Sequence, residues 1–370
     1  MINKKILCIH QGFELYGSDR MFIYAVRALI SKYGNQNVTV LLPKKETLFD
    51  RLSSLACDIR VQKIGAIRKS ELRRLNLSAI WEIFKIRSKV HLLNQYDIIY
   101  INSVVILSFI VASFFSKRQT IIHIHEVPEG LTKILFKLLT ARFKGKIICV
   151  SNTVRRIFEN NKSKCITLYN GIEGFNFSEL EKDQQGLRIL LIGRISRSKG
   201  QYILLRALKE LSDQQFEKIQ VKIVGSVFEK EIHFKEEIIR IVESDSRLQN
   251  IVEISNFVEF PESFFEWSNL VVIPSTFPEP FGLVALEAMS KGRAIIAADH
   301  GGLSEIIVES VNGLKFEPKD HVELSSKIGY LLERRELLSL MGKKGRKLFE
   351  ENYKLQKFQD RFITIFESVI

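Results

Sequence analysis

The chain has 370 residues, of which 46% are hydrophobic and 26% are charged, and its formal net charge is +13. Its length and apolar content are sufficient for two ordinary domains with separate cores, and it contains no internal repeat or low-complexity segment. Its four cysteines are scattered, which excludes a zinc-type ligand spacing or a paired redox motif and favours a reducing compartment.

Short apolar runs with the character of buried strands alternate with helical patterns along the whole chain. This alternation predicts an α/β fold with two doubly wound parallel sheets. We expect a ligand site at the carboxyl ends of the strands, in a crevice between the two domains. The strands predicted for the first sheet are Lys5 to His10, Val38 to Leu42, Ile98 to Ile101, Ile121 to His125 and Ile147 to Val150. Those predicted for the second sheet are Ile189 to Ile192, Val221 to Val224, Ile251 to Ile254, Leu270 to Ile273 and Ala294 to Ala297.

The positive charge is concentrated in the first half of the chain. Residues 1–180 contain 28 basic and 13 acidic residues, a net charge of +15, whereas the remainder contains 27 and 29, a net charge of −2. From residue 68 to residue 93, cations alternate with apolar residues at helical spacing. This basic amphipathic segment fits an anionic membrane surface if Trp81 is exposed, and a core helix with solvated cations if Trp81 is buried. It lacks a recognisable nucleic-acid-binding motif, so we expect no nucleic-acid partner.

The longest apolar run, Val104 to Phe115, is interrupted only by two serines. A bilayer span needs about 20 residues, so this run predicts a buried helix instead. The first residues, Met1 to Lys5 followed by a short strand, do not resemble a signal peptide. We therefore expect a cytoplasmic protein, with peripheral attachment to the inner face of the cell membrane if the basic segment meets lipid.

A pair of histidines, His123 and His125, closes a predicted strand. Alternation places both on one face of the sheet, as a metal pair would require, but no further ligand spacing accompanies them. We therefore expect no metal site here, and we interpret His10 and His123 as structural residues.

The segment from Glu173 to Gly186 is polar and aperiodic, which is typical of an interdomain linker. Close to the C terminus, Tyr353 to Val369 predicts a helix with one apolar face. The apolar residues at helical spacing are Leu355, Phe358, Phe362 and Phe366.

The second half contains a strand, Arg188 to Ile192, that ends at Gly193 and is followed by Arg194 and Lys199 before a new helical pattern. Two cations beside a glycine turn indicate an anion. Arginine offers a planar fork and lysine a point charge, so the two together can neutralise a diphosphate leaving group without a metal. Either cation alone is more typical of solvated surface.

A strand-to-helix turn follows further along. Leu270 to Ile273 has the character of a buried strand, several prolines then break the chain, and Phe281 to Met289 predicts a helix. The first amides of a helix lack intrahelical acceptors and lie at the positive end of its dipole, so they suit a phosphate. The amides predicted to bind the phosphate are those of Phe281, Gly282, Leu283 and Val284.

Two glutamates, Glu279 and Glu287, bracket this turn eight residues apart. On the helix, Glu287 can accept hydrogen bonds from a ribose diol, while Glu279 on the preceding loop faces the sugar bonded to the phosphate. One nucleotide sugar would span both residues. The alternative, two glutamates on a solvated helix, is the ordinary interpretation of an arbitrary pair at this spacing.

The chain resembles the retaining GT-B glycosyltransferases of family 4, a group that includes bacterial lipopolysaccharide, capsule and mannoside transferases. The resemblance is carried by Gly193-Arg194, by Lys199-Gly200 and by the segment from Glu279 to Glu287, with Gly301-Gly302 as a further match. The first half departs more, since Tyr16-Gly17 stands where relatives usually carry a glycine pair.

This resemblance implies two Rossmann-like domains that face each other across a cleft. Residues 1–172 would form the acceptor side, 173–186 the linker and 187–352 the nucleotide-sugar donor domain, with a helix at about 353–370 crossing back to the first domain. It also implies that Gly17 leaves room for the donor phosphate and that His125 reaches the donor sugar.

The reaction implied by the resemblance is substitution at the anomeric carbon with retained configuration. The acceptor hydroxyl attacks from the side of the leaving group, and the departing diphosphate oxygen takes its proton, so neither an enzyme nucleophile nor a cofactor or metal is needed. The donor would be a nucleotide-diphosphate sugar, with UDP preferred, and the acceptor a saccharide or lipid-linked saccharide in bacterial surface polysaccharide assembly.

Other functions share this architecture. A sugar-nucleotide epimerase uses two such domains, and a non-enzymatic nucleotide-sugar-binding or membrane-scaffold module would need the same pocket. An NAD-dependent oxidoreductase is disfavoured because no G-x-G-x-x-G segment follows a predicted strand. A metal-dependent transferase is disfavoured because no Asp-any-Asp motif occurs.

Overall fold

The structure is a computed structural model that describes residues 4–65, 85–158, 164–180, 186–227 and 231–369. The chain divides into two compact units. The first comprises Met1–Gly171 together with Leu355–Ile370, and the second comprises Ile172–Lys354. Most of the basic segment predicted from residue 68 to residue 93, including Trp81, lies outside the described residues.

The first unit is built on seven described strands. They are β1 (Ile6–His10), β2 (Val38–Leu42), β3 (Asp58–Val61), β4 (Ile98–Asn102), β5 (Gln119–Ile124), β6 (Lys146–Cys149) and β7 (Cys165–Thr167). They form one parallel sheet in the order β3-β2-β1-β4-β5-β6-β7, and the central strands β1 and β4 are buried along their whole length. The five predicted strands are confirmed. The edge strands β3 and β7 were not predicted, because β3 is mostly exposed and polar and β7 has only three residues.

The second unit contains a parallel sheet of its own. Its described strands are β8 (Leu187–Ile192), β9 (Ile219–Val224), β10 (Val252–Ser255), β11 (Leu270–Ile273), β12 (Ala294–Ala298) and β13 (Gly313–Phe316). Their order is β10-β9-β8-β11-β12-β13. Leucine, isoleucine and valine side chains of β8, β9 and β11 lie at the centre of a continuous apolar core. The predicted class, α/β with two Rossmann-like parallel sheets, is confirmed.

Helices connect the strands in both units. In the first unit the described helices are α1 (Gly17–Tyr33), α2 (Thr47–Ser53), α3 (Ile86–Leu93), α4 (Leu107–Ser113), α5 (Gly130–Arg142), α6 (Asn152–Ile157) and α16 (Leu355–Glu367). In the second they are α7 (Gln201–Lys209), α8 (Asp213–Phe216), α9 (Ile232–Glu243), α10 (Ser246–Ile251), α11 (Glu262–Trp267), α12 (Leu283–Lys291), α13 (Leu303–Ile306), α14 (His321–Glu333) and α15 (Glu336–Asn352).

The apolar run from Val104 to Phe115 contains α4, which is buried as predicted but shorter than the run. Phe115 lies beyond the helix and is exposed. Within the described ranges, every helix is too short or too polar to traverse a lipid bilayer.

The last helix, α16, belongs to the first unit, which confirms the predicted return of the chain. Its residues Phe358, Phe362 and Phe366 are buried, and the helix packs along α1. At its end the carboxylate of Glu367 lies 2.7 Å from the ammonium group of Lys32. The aromatic face therefore anchors α16, with a surface ion pair adding little.

The segment after Gly171 packs on the second unit. Phe175 N donates to Ser290 Oγ at 2.9 Å, and Arg346 Nη1 donates to Phe175 O at 2.8 Å. Residues 181–185 of the predicted linker lie outside the described residues.

Candidate active site

The loop that follows β8 is the first part of the predicted site in the second unit. Gly193 and Ile195 donate their amide hydrogens to carbonyls at and beyond the end of β9, so the chain keeps a defined path after the strand ends. It then forms a short 3-10 turn, Arg197–Lys199, and enters α7. Arg194 directly follows Gly193, and its carbonyl accepts a hydrogen bond from Gln201 Nε2 at 2.9 Å.

This loop is fastened to the loop that follows β11. Thr276 donates through its amide to Ser198 O and through Oγ1 to Arg197 O, both at 2.9 Å. Gly200 has φ +71°, and a Cβ atom there would overlap the carbonyl oxygen of Pro274. Glycine is therefore required for the two loops to approach, and their approach places Lys199 beside Glu279.

Lys199 and Glu279 form the central ion pair. Lys199 Nζ lies 2.6 Å from Glu279 Oε1, and the side chain of Glu279 is only 13% exposed. Burial alone would raise the pKa of the Glu279 carboxyl, but the charge and hydrogen bond of Lys199, with a hydrogen bond from Ser275, lower it below its ordinary value. At neutral pH the site therefore holds an ionised carboxylate, which can only accept hydrogen bonds.

Ser275 and His300 complete the surroundings of this carboxylate. Ser275 Oγ donates to Glu279 Oε1, and His300 Nε2 is hydrogen-bonded to Ser275 O at 2.8 Å. Gly302 N donates to Glu279 O at 2.7 Å. The glutamate is thus fixed at both its backbone and its side chain.

The helix predicted from Phe281 begins at Leu283, which corrects the expected start by two residues. The reason is Gly282, whose φ of +125° is incompatible with a helix. The amides of Leu283 and Val284 therefore belong to the first helical turn, where amides lack intrahelical acceptors, while those of Phe281 and Gly282 precede it. Glu287 is on α12 and is 5% exposed.

A small cavity joins several of the predicted residues. Lys199, Glu279 and Val284 line it, together with Ser275 and residues at the ends of β8 and β11. Arg194, Phe281, Gly282, Leu283 and Glu287 are not part of this lining. The structure thus brings the lysine, the glutamate and one first-turn residue of α12 to one space.

In the first unit, His125 is part of a buried polar network. Its Nε2 is 2.9 Å from Asn102 Oδ1, which also accepts from Tyr100 Oη at 2.8 Å. Tyr100 Oη is 2.8 Å from Nδ1 of His123, and Asn102 Nδ2 is 3.0 Å from Nδ1 of His10. The rings of His123 and His125 have centroids 4.1 Å apart, which confirms that they share a face.

Burial lowers the pKa of His125 well below its ordinary value, and the neighbouring His123 and His10 lower it further. The ring is therefore neutral at pH 7. Because Asn102 Oδ1 is an acceptor, the proton of His125 lies on Nε2, and Nδ1 carries a lone pair that can accept a hydrogen bond.

Gly17 is the first residue of α1 and lies at the other end of the same network. His10 Nε2 is 2.7 Å from Asp19 Oδ1, and Asp19 Oδ2 accepts from Tyr16 N at 2.9 Å. The carboxylate of Asp19 thus holds the backbone just before Gly17 and also contacts His10. Hydrogen bonds therefore run from His125 to Asp19 and Tyr16, which lie on either side of Gly17 in the chain.

Four polar residues around the predicted sites were not identified from the sequence. They are Ser275, His300, Asp19 and Asn102. Ser275, His300 and Asn102 lie at or just after the carboxyl end of a strand. This position favours ligand contact in parallel sheets. Their partners are up to 92 residues away in the chain, so spacing alone could not pair them.

Comparison with known proteins shows which proteins resemble the second unit. Residues 173–348 match the family described as Glycosyl transferases group 1. This range covers most of the second unit, including Lys199, Glu279 and Glu287. The part of the chain that carries the predicted donor residues is therefore similar to glycosyltransferases, and the comparisons give no support to the epimerase or to the non-enzymatic module.

Two curated relatives illustrate the similarity. The chain is 29% identical over 228 residues to an uncharacterised glycosyltransferase of Methanocaldococcus jannaschii, covering 61% of this chain and 60% of the relative. It is 28% identical over 178 residues to a lipopolysaccharide 1,2-N-acetylglucosaminetransferase of Salmonella typhimurium, covering 47% and 46%. The chain thus spans about half to three fifths of the length of these relatives.

A solved structure shows the same fold over nearly the whole chain. Anabaena HepE in complex with UDP-glucose matches with a TM-score of 0.81 and 20% identity, covering 99% of this chain and 100% of that one. HepE has also been solved in complex with UDP.

Proposed function

We propose that this protein is a glycosyltransferase that moves a sugar from a nucleotide-diphosphate sugar to a hydroxyl group of a saccharide or lipid-linked saccharide in bacterial surface polysaccharide assembly. The ion pair of Lys199 and Glu279 beside the N terminus of α12 carries this proposal. A cation and first-turn amides suit a diphosphate, and an ionised carboxylate suits sugar hydroxyls. The lipopolysaccharide transferase relative and the UDP-glucose complex of HepE favour the same substrate classes.

The proposed chemistry retains the configuration of the anomeric carbon. The bond between the anomeric carbon and the diphosphate oxygen breaks, the acceptor oxygen bonds to the same face, and its proton passes to the departing diphosphate. Arg194, Lys199 and the amides from Phe281 to Val284 stabilise the negative charge on the leaving group. These groups supply the positive charge, so the proposal requires no metal.

The remaining residues orient the donor. Glu287 accepts hydrogen bonds from the ribose, and Glu279 accepts them from the transferred sugar. In the first unit, Gly17 leaves room for a phosphate, and His125 accepts a sugar hydroxyl hydrogen at Nδ1. When the diphosphate engages Lys199, the ammonium group shares its charge between the phosphate and Glu279, so donor binding and sugar orientation depend on one lysine.

The test is direct binding followed by product analysis. Thermal shift against UDP, GDP and dTDP should raise the melting temperature with UDP, because a ligand at a hundredfold excess over its Kd adds about 2.7 kcal/mol. Incubation with UDP-sugars and saccharide acceptors should give a new glycoside of unchanged anomeric configuration. Inverted product, or conversion of the sugar without an acceptor, would contradict the proposal.

A membrane surface is the proposed partner of the first unit. On α5, Leu131, Ile134 and Leu138 are 85%, 57% and 63% exposed, whereas Phe136 and Thr140 on the opposite side are buried. The exposed residues recur at positions i, i+3 and i+7, so they form one apolar stripe on the outward face of the helix.

The charge around this stripe favours lipid over a second protein. Residues 130–146 contain five cations and no acidic residue. A second copy of the chain would bring like charges together on this face, whereas anionic lipid headgroups would neutralise them. We therefore propose that α5 lies on an anionic bilayer, where a lipid-linked acceptor would be found.

A further inference from the structure

The second unit contains another cavity, of about 190 Å³, between α7, α9 and the loop that follows β8. Its polar and aromatic lining consists of Ser196, Arg197, Gln201, Tyr202, Arg206, Phe234 and Glu237. None of these residues belongs to the proposed donor site or lines its cavity.

Two arginines in this cavity are each placed over an aromatic ring. The guanidinium carbon of Arg197 is 5.4 Å from the centroid of Phe234, and that of Arg206 is 5.8 Å from the centroid of Tyr202. Across the described part of the chain, neither arginine is within ion-pair distance of a carboxylate. Ring stacking orients a guanidinium but leaves its N–H edge available for an anion, so the pair suits a phosphate.

The floor of the cavity is rigid. Ile195 and Ile238 are buried, and Gln201 is only 1% exposed. The Gln201 side chain is already fixed, since its Nε2 donates to Arg194 O. A ligand in this cavity therefore meets the buried side chains of Ile195, Ile238 and Gln201.

Glu237 is the one acidic residue in the lining. Its carboxylate disfavours a ligand with several negative charges, but it accepts hydrogen bonds from hydroxyl groups. A matching ligand has a phosphate that binds the arginines, an apolar ring face that packs on Tyr202 and Phe234, and hydroxyl groups that bind Glu237. A monosaccharide that carries one phosphate has all three features.

The cavity and the donor site are connected through one 3-10 turn. Arg197 lines the cavity, and its carbonyl accepts from Thr276 Oγ1. Lys199, two residues later in the same 3-10 turn, binds Glu279. A ligand on Arg197 therefore contacts the turn that holds Lys199.

We propose that this cavity is a second ligand site, which binds a phosphorylated monosaccharide and restrains the turn at residues 197–199. This site goes beyond the proposed transfer reaction and does not depend on it. The ligand is distinct from the nucleotide sugar, whose diphosphate is assigned to Lys199 and α12.

Calorimetric titration of the full chain with glucose 1-phosphate tests the proposal, with glucose and inorganic phosphate as comparison probes. Glucose 1-phosphate should bind at least about tenfold more tightly than either probe. Its Kd should rise at least about tenfold in Arg206→Gln and in Arg197→Gln. The control variant Arg240→Gln changes an arginine of α9 that does not line the cavity, so it should bind as the unsubstituted chain does.

Lys199→Ala separates the two sites. If the proposal holds, binding of glucose 1-phosphate survives Lys199→Ala, and the ligand slows amide hydrogen exchange in residues 196–202. Binding that survives Arg206→Gln but is lost in Lys199→Ala would place the ligand in the donor site and overturn the proposal. Absence of binding, or equal affinity for inorganic phosphate, would also overturn it. Loss of sugar transfer with intact binding would instead contradict only the proposed function.

Discussion

At the residue scale, the pair of Lys199 and Glu279 serves two purposes at once. The lysine keeps the carboxylate ionised although it is mostly buried, and the carboxylate holds the ammonium group at the N terminus of α12. Removing either partner leaves the other in a poorly solvated place. The effect of a substitution is therefore larger than the loss of one contact with the substrate.

We expect Lys199→Ala to lower kcat/KM for the sugar donor at least tenfold, which corresponds to about 1.4 kcal/mol in the barrier. The reason is that the substitution removes the cation that we propose to oppose the charge on the leaving diphosphate. Initial rates at varied donor concentration measure the effect. Lys209→Ala, which removes a lysine from a surface ion pair on α7, is the control and should be near normal. Equal rates for the two variants would remove the role assigned to Lys199.

Glu279→Gln tests the other partner. It preserves the size of the side chain but replaces an acceptor-only carboxylate by an amide, so we expect at least a tenfold lower turnover with the donor Kd less affected than in Lys199→Ala. Turnover and donor affinity, measured separately, distinguish sugar orientation from phosphate binding. A near-normal turnover would contradict the role of Glu279.

The buried histidines predict a pH dependence of stability in the first unit. Burial lowers the pKa of His123 to about 3, and burial also lowers that of His125. The unfolded chain, with histidine pKa near 6.5, therefore binds more protons than the folded chain between about pH 3 and 6.5. The free energy of unfolding should be highest above pH 6.5. Below pH 6.5 it should decrease by up to about 1.4 kcal/mol per pH unit for each histidine.

Hydrogen exchange of β5 amides between pH 5 and pH 8, corrected for intrinsic rates, measures this loss. His123→Gln removes one titrating group while keeping an acceptor near Tyr100, so its stability should depend less steeply on pH. The same slope in both proteins would contradict a neutral buried His123.

The residue-scale predictions from sequence were limited by contacts across long separations. Glu279 and Lys199 could be proposed separately, each from its own turn, and the structure then shows that they touch. His300 and Asn102 could not be proposed, because their partners Ser275 and His125 are 25 and 23 residues away in the chain. Ser275 could not be proposed because a serine in a loop gives no signal of its own.

At the element scale, the segment after Gly171 is held by a buried arginine that lies elsewhere in the chain. The sequence of the segment therefore could not predict this contact. Arg293, directly before β12, is 1% exposed and donates to the carbonyls of Ser178, Phe265 and Lys291 and to Ser178 Oγ. Burial lowers its pKa to about 10, with Glu266 opposing the change, so it remains charged at neutral pH. Several acceptors of the second unit therefore depend on one side chain.

We expect Arg293→Met to lower the free energy of unfolding by about 3 kcal/mol or more, because it leaves buried carbonyl oxygens unsatisfied. Arg293→Lys should restore little of the lost stability, since a single ammonium group cannot reach the several acceptors that the planar guanidinium fork reaches. Urea unfolding measures the change, with Arg334→Met at an exposed helix end as the control. A loss below about 1 kcal/mol would show that water replaces the guanidinium.

Element boundaries were predictable where apolar runs decide them. Val38–Leu42 and Leu270–Ile273 have the predicted bounds because both strands are buried throughout. The start of α12 was wrong by two residues because Gly282 takes a positive φ, which follows from its packing against Leu303 and is not encoded in a helical pattern. The exposed edge strand β3 carried no apolar signal.

At the scale of the whole molecule, two features of the first unit suit contact with an anionic membrane. One is the excess of positive charge in the first half of the chain, and the other is the apolar outward face of α5. A soluble protein rarely exposes leucines in a continuous stripe without a partner, and here cations flank the stripe. The sequence predicted the charge asymmetry, and for the segment from residue 68 to residue 93 it left open a membrane contact or a core helix. Most of that segment lies outside the described residues. The outward face of α5 could be proposed only once the burial of Phe136 showed which side of this helix is exposed.

We therefore expect the protein to sediment with vesicles that contain anionic phospholipid and to remain in solution with purely zwitterionic vesicles. Leu131→Ser with Leu138→Ser should reduce the partition coefficient at least tenfold, because each substitution removes apolar area that would be buried in the interface, at about 25 cal/mol per Å². Salt should weaken the binding of the unsubstituted protein, since the cations act through screened attraction. Leu340→Ser, at an exposed leucine of α15 in the second unit, is the matched control and should bind normally. Equal binding to zwitterionic vesicles, or full binding by the double variant, would show that α5 does not form the lipid contact, and the partner would then have to be sought elsewhere on the first unit.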